Sequence, residues 1–188
     1  FSTHPTYREI QDLSLEERVE YLRQPEVRER ITTEGTDTKN PIGKSLMTRW
    51  DQMFPLNDPP DYEPDPSSSV AAVAERESRR PEEVVLDWML ERGGKSLVFA
   101  PLASYAAHNH DAIREMITDP NTVLGLSDGG AHCGLICDAS MPTYLLTHWT
   151  RDRHRGEQLG LEEAIAMQTS RTAAVFGFDD RGTLEPGK

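Results

Sequence analysis

The chain has 188 residues, enough for one domain with a substantial buried core. Its 32 acidic residues outnumber 20 basic ones, and the net charge of -12 argues against nucleic acid and against anionic membrane surfaces as partners. No apolar run approaches the ~18 residues of a membrane span and no signal-peptide pattern opens the chain, so a soluble protein is expected.

Phe1 stands where an initiator methionine would, and Lys188 falls inside a strand-turn pattern, so the expectation is a piece of a larger protein. Leu15 to Ile31 carries the helical period, with Ser14 as N-cap and Glu17 completing a capping box. Residues 32–69 are poor in periodic pattern, although Lys44 to Phe54 could hold a short strand. The stretch 55–68 is a Pro-rich, acidic loop that reads as a linker or as a long active-site loop.

From Ser69 the pattern becomes regular, and 69–188 is the best-defined part. Val70 to Arg79 reads as a helix behind a serine cap, and Pro81 introduces another over Glu82 to Arg92, ended by Gly93-Gly94. Ser96 to Ala100 reads as a short buried strand, Asp111 to Thr118 as a helix, and Thr122 to Leu126 as the next strand. Thr143 to Arg151 and Glu162 to Thr169 follow as helices, and Ser170 caps a last one reaching Phe176. Strands alternating with helices imply an α/β fold with a parallel sheet and βαβ crossovers. Trp88, Met89, Leu145, Leu146 and Trp149 are expected in the core, and the Arg151-Asp-Arg-His-Arg155 run as a solvated helix end.

Candidate chemistry concentrates at Thr122-Val-Leu-Gly-Leu-Ser-Asp-Gly-Gly-Ala-His132. An apolar, β-favouring run ends in Ser127-Asp128, and Gly129 and Gly130 leave space beside the carboxylate. That arrangement suits a catalytic acid or base at the mouth of a strand, and equally a plain strand followed by a turn. His132, four residues beyond Asp128, could converge on the same site. Gly125-Leu-Ser-Asp-Gly129 also matches the G-x-S-x-G nucleophile elbow, with Ser127 as nucleophile, His148 or His154 as base and Asp138 as its orienter. The two glycines that follow make a poor helix start, at about 1 kcal/mol each relative to alanine. His108-Asn-His110 would place two imidazoles on one face if it were a strand, the spacing of a metal pair; its position ahead of a helix reads as a loop or cap. Cys133 and Cys137 lack a second ligand pair at zinc-finger spacing and read as buried free thiols, which point to a reducing, cytoplasmic compartment.

Val123-Leu-Gly-Leu-Ser-Asp-Gly-Gly-Ala-His132, Cys137-Asp-Ala-Ser-Met-Pro-Thr143 and Leu145-Leu-Thr-His-Trp149 together resemble the amidohydrolases of the D-aminoacylase (N-acyl-D-amino-acid deacylase) type. Asp180-Arg-Gly-Thr-Leu-Glu-Pro-Gly-Lys188 resembles that family's exit from its barrel, and Leu15 to Arg28 an earlier helix. The resemblance implies that 1–188 is the C-terminal portion of a TIM-like (β/α)8 metal-dependent hydrolase barrel. Leu97 to Ala100 would then be its seventh strand and Thr122 to Leu126 its eighth. It further implies amide hydrolysis with Zn²⁺ as cofactor and Asp128 as general acid/base, with Gly129 and Gly130 keeping the approach open; the placing of His132 near the substrate rests on its spacing from Asp128. Most metal ligands would lie upstream of Phe1, with Asp128 the residue of this segment able to join them. The arginine that grips the substrate carboxylate in that family has no counterpart before Arg151, which widens the expected substrate to N-acyl (D-)amino-acid-like amides. A serine hydrolase using Ser127 and a non-catalytic homologue are the alternatives; a homo-oligomer stays open.

Overall fold

The structure is a computed structural model that describes residues 1–101, 104–125, 127, 129 and 138–188, the side chains of 42 and 138 apart. The chain divides into two compact units, residues 1–108 and 109–188.

The first unit is helical with one small sheet. Helices α1 (Pro5–Arg8), α2 (Leu15–Leu22), α3 (Pro25–Thr33) and α4 (Pro41–Leu46) lead to strand β1 (Phe54–Leu56). Helices α5 (Val70–Glu77) and α6 (Pro81–Gly94) then precede strand β2 (Leu97–Phe99). The expected capping box is present: the Glu17 amide donates to Ser14 Oγ at 3.3 Å, and the Ser14 amide donates to Glu17 Oε2 at 2.9 Å. The single helix expected over Leu15 to Ile31 is two, because Pro25 has no amide to donate and starts a fresh helix at its first position. Both halves still keep one apolar face, and Val19, Leu22, Val27 and Ile31 pack with Ile10, Leu86 and Leu90.

Ser69 caps α5 by accepting the Ala72 amide at 3.2 Å, and the resulting helix buries Val70, Val73 and Ala74 against Val84 and Val85 of α6. The backbone of α6 leaves helical geometry at Glu91, and Arg92, Gly93 and Gly94 all take positive φ, as the glycine pair predicts. Met89, expected in the core, is 38 % exposed, while Trp88 packs partly buried against the Val70 cluster.

The sheet corrects the sequence reading. Phe54–Leu56 pairs antiparallel with Leu97–Phe99, Pro55 opposite Val98, and this is a two-stranded sheet. The expected strand at Lys44 to Phe54 begins only at Phe54, after helix α4 and a 3₁₀ turn at Trp50–Gln52. The expected buried strand at Ser96 to Ala100 is short and open, with Leu97 64 % exposed. Residues 122–125 form no strand, so β2 gains no parallel neighbour from them. Among the described residues the chain is therefore helix-rich with one antiparallel pair, and the βαβ crossover is absent from them. The Pro-rich loop is anchored rather than loose: Tyr105 is fully buried, donates its hydroxyl to the Pro64 carbonyl at 2.6 Å, and meets Phe54 edge-on.

The second unit comprises α7 (Asp111–Thr118), α8 (Met141–Thr147), a π-helical turn at His148–Asp152, α9 (Leu161–Gln168) and α10 (Ser170–Val175). Thr169 rather than Ser170 stands at the cap position of α10. Leu145, Trp149, Leu159, Ala164 and Met167 make its core, with Leu146 partly buried against it. No described helix is long and apolar enough to cross a membrane.

Candidate functional site

The second unit gathers imidazole, indole and phenol rings where α7 begins and α8 ends. His110 is the residue before α7; the Asp111 amide donates to Asn109 Oδ1 at 3.0 Å and the Arg114 amide to the His110 carbonyl at 2.9 Å, which fixes the entry into the helix. His148 opens the π-helical turn that follows α8. Its ring stacks on Tyr144, one helical turn earlier, at 4.6 Å between centroids and 9° between planes. His110 lies 5.9 Å from His148 at 75°, and 6.0 Å from the Trp149 indole at 28°. Each histidine offers a ring nitrogen within 4.8 Å of the other's. His110 is 6 % exposed; His148 is half-buried as a residue, with its Nε2 closed off from solvent.

One cation organises this corner. The Arg153 side chain is 0 % exposed, which overturns the expectation that residues 151–155 form a wholly solvated helix end. Its Nη2 donates to Asp111 Oδ1 at 2.6 Å, its Nη1 donates to the Glu157 carbonyl at 2.8 Å, and its Cζ lies 4.9 Å over the Trp149 ring. A guanidinium can be buried here because a carboxylate, a carbonyl and an aromatic face meet it together. The Arg153 amide also donates to the His148 carbonyl at 2.8 Å, an i to i+5 bond that closes the π turn. Gly156 leaves the room: a Cβ there would lie 2.5 Å from Arg153 Cζ and 2.7 Å from Asp111 Oδ1. The neighbouring Arg151, Asp152 and His154 are exposed, and Arg151 holds the Asp152 carboxyl below the usual range through its hydrogen bonds.

The His-x-His reading does not survive in its strand form. Residues 104–110 are turns and bends, and His108 has positive φ. In the first unit Gln52 Nε2 lies 3.2 Å from His108 Nε2, and Tyr105 meets that ring edge-on, whereas His110 keeps the neighbours described above. Asp128, Gly130, His132, Cys133 and Cys137 lie outside the described residues, as does the Asp138 side chain. Ser127 is half-buried and Gly129 exposed, and a Cβ on Gly129 would lie 2.5 Å from the Ala139 Cβ, so that glycine permits a close approach to the 3₁₀ turn at Asp138–Ser140. The strand that a nucleophile elbow needs is missing from 122–125.

The sequence reading offered His148 or His154 as the base of an alternative serine hydrolase and took Trp149 as core alone. The i, i+4 spacing of Tyr144 and His148 was the available signal for their stacking; nothing in the sequence joins His110 to them.

The family model described as "Amidohydrolase family" matches residues 1–188. The chain belongs to the amidohydrolase family. Members of this family are metal-dependent hydrolases, and the family suggests the TIM-barrel superfamily. The chain is also similar to uncharacterized proteins of Mycobacterium bovis and of Mycobacterium tuberculosis (two strains), each 28 % identical over 121 residues. That alignment covers 63 % of the chain and 19 % of each relative, so the chain spans about a fifth of the length of the curated relatives it matches. No solved structure matches it. The donor set suits the family's chemistry, since two imidazoles are ligands for borderline cations such as Zn²⁺.

Proposed function

We propose that the chain is the C-terminal part of a TIM-like barrel in a zinc-dependent amidohydrolase that cleaves the amide bond of N-acyl (D-)amino-acid-like substrates. The observation that carries this reading is the family match along the whole of residues 1–188, which supports carrying the role of the Ser-Asp-Gly aspartate onto Asp128. A divalent metal bound in such an enzyme would lower the pKa of water towards neutrality and polarise the acyl oxygen. Most of its ligands are expected outside this segment, with Asp128 the residue here able to join them. The Asp128 carboxylate takes a proton from the attacking water and passes it to the departing amine nitrogen, so acyl carbon and amine part as acid and amine. Gly129, Gly130 and His132 follow Asp128 in the sequence and are assigned to substrate contact. Cys133 and Cys137, read from the sequence as free thiols, would fit a cytoplasmic protein.

The test is Asp128→Asn in the full-length protein, assayed on a panel of N-acyl-D- and N-acyl-L-amino acids with metal analysis alongside. Turnover should fall by at least ~10²-fold while bound metal and folding persist, the lower range for loss of a general base. Near-normal turnover in a well-folded variant would remove Asp128 from the reaction. Labelling of Ser127 by a fluorophosphonate would replace this reading with a serine hydrolase. A metal-free, inactive full-length protein would leave a non-catalytic homologue.

A further inference from the structure

We propose that the cleft between the end of α6 and one end of the two-stranded sheet, within the first unit, binds a small organic ammonium ion. The cleft follows from local chain geometry. Helical geometry stops at Glu91, the positive φ of Arg92, Gly93 and Gly94 turns the chain into β2, and the Leu56–Leu97 pair ends the sheet. The space left has a volume of about 250 Å³ and is lined by the helix end and by the residues around β1. Sites for drug-sized ligands run to roughly 300–1,000 Å³, so this one suits a smaller molecule.

The first supporting feature is charge. Asp58, Glu91 and Arg92 all line the cleft, so two carboxylates stand against one guanidinium and the lining is net negative. Arg92 Nη2 lies 3.5 Å from Asp58 Oδ2, which answers the guanidinium. Glu91 is exposed and has no ion pair among the described residues. An anion would meet net repulsion there, and a single positive charge restores the balance.

The second feature is an apolar wall with acceptors beside it. Trp88 is half-buried against the Val70 cluster, and it lines the cleft together with Leu97, which is 64 % exposed. An indole covers a short hydrocarbon tail and attracts a cation placed over its ring. Asn57 and Ser96 line the same space, and their side chains make no hydrogen bond among the described residues. A carbonyl and a hydroxyl oxygen therefore remain to accept ammonium N–H groups. An ammonium head near Glu91, with its tail on Trp88, stays hydrated at the open rim, so its charge need not be stripped of water.

The inference needs no turnover and stands whether or not Asp128 acts in hydrolysis. The test is titration of the ¹⁵N-labelled protein with n-butylammonium chloride at fixed ionic strength, read at the Trp88 indole resonance. Trp88→Phe identifies that resonance; should the variant not fold, backbone-linked assignment of the parent does so. A saturable shift is expected, with none from n-butanol or sodium butyrate over the same range. Glu91→Gln should weaken n-butylammonium binding by at least ~3-fold, within the range of one exposed ion pair. Glu162→Gln removes a carboxylate from the first turn of α9, in the second unit, and should leave the affinity unchanged. A smaller loss in Glu91→Gln overturns the site, as does an unmoved Trp88 resonance. Equal weakening by both substitutions also overturns it, since that is the general attraction of an acidic chain for cations. An equal shift from n-butanol or from butyrate overturns it as well, because the cleft then does not select for positive charge.

Discussion

Gly156→Ala is the sharpest perturbation of the candidate site, because its sign rests on whether Arg153 can yield. The added methyl would sit 2.5 Å from Arg153 Cζ, nearer still to its Nη2, and 2.7 Å from Asp111 Oδ1. On an exposed arginine such overlap would cost little, since the side chain swings aside. Here the guanidinium is 0 % exposed, bonded at 2.6 Å to Asp111 and 2.8 Å to the Glu157 carbonyl, and seated on Trp149. Overpacking of this kind costs about 1–3 kcal/mol. Against it stands the ~0.4–1 kcal/mol that alanine returns by restricting the unfolded chain. The clash wins, and a net loss of about 1–2 kcal/mol is expected. For a chain of this length that lowers Tm by roughly 2–8 °C. Urea unfolding followed by tryptophan fluorescence checks the loss. The effect should shrink by at least ~0.5 kcal/mol when Arg153→Ala is already present, because the guanidinium atoms nearest the methyl are then gone and Asp111 is released from its partner. An additive double variant, or a Gly156→Ala chain as stable as its parent, would refute the argument that Arg153 is fixed.

Ser14→Ala should cost α2 about 1 kcal/mol by leaving the Glu17 amide without its cap, and this is readable as a lower urea midpoint at unchanged slope. Gly94→Ala should destabilise more than Gly93→Ala: both have positive φ, but only at Gly94 would a Cβ lie 2.6 Å from Val19 Cγ2 and 3.1 Å from Leu15 Cδ1. Comparing the two Tm values separates contact from backbone strain. Burial would raise the Asp87 carboxyl, yet hydrogen bonds from Arg79 and Arg28 hold it below its ordinary value of 3.8. A depressed folded pKa gives stability that is present above about pH 4 and lost as the pH falls through the folded value. Asp87→Asn should therefore flatten the acid end of a stability–pH curve, and an unchanged slope between pH 4 and 2 would contradict this.

Local signals were legible along the chain. Ser14, Ser69 and Pro81 start helices because each supplies or removes a backbone hydrogen bond within a few residues, and the α6 backbone turns at Arg92, Gly93 and Gly94 as its glycines require. Membership of the amidohydrolase family was legible too, in the Ser127-Asp128-Gly129 stretch and its downstream companions. Pairing was not. Leu97–Phe99 could be recognised as a strand, but its antiparallel partner lies some forty residues earlier, and no local pattern encodes a partner. Nor could a run of five mostly charged residues reveal that Arg153 alone turns inward, since that depends on Asp111, 42 positions away, and on the space left by Gly156. Caps and turns follow from interactions within a few residues, so sequence alone determined them. Which strand pairs, which arginine is buried and which two histidines meet depend on groups far apart in the chain, and only the tertiary structure decided them.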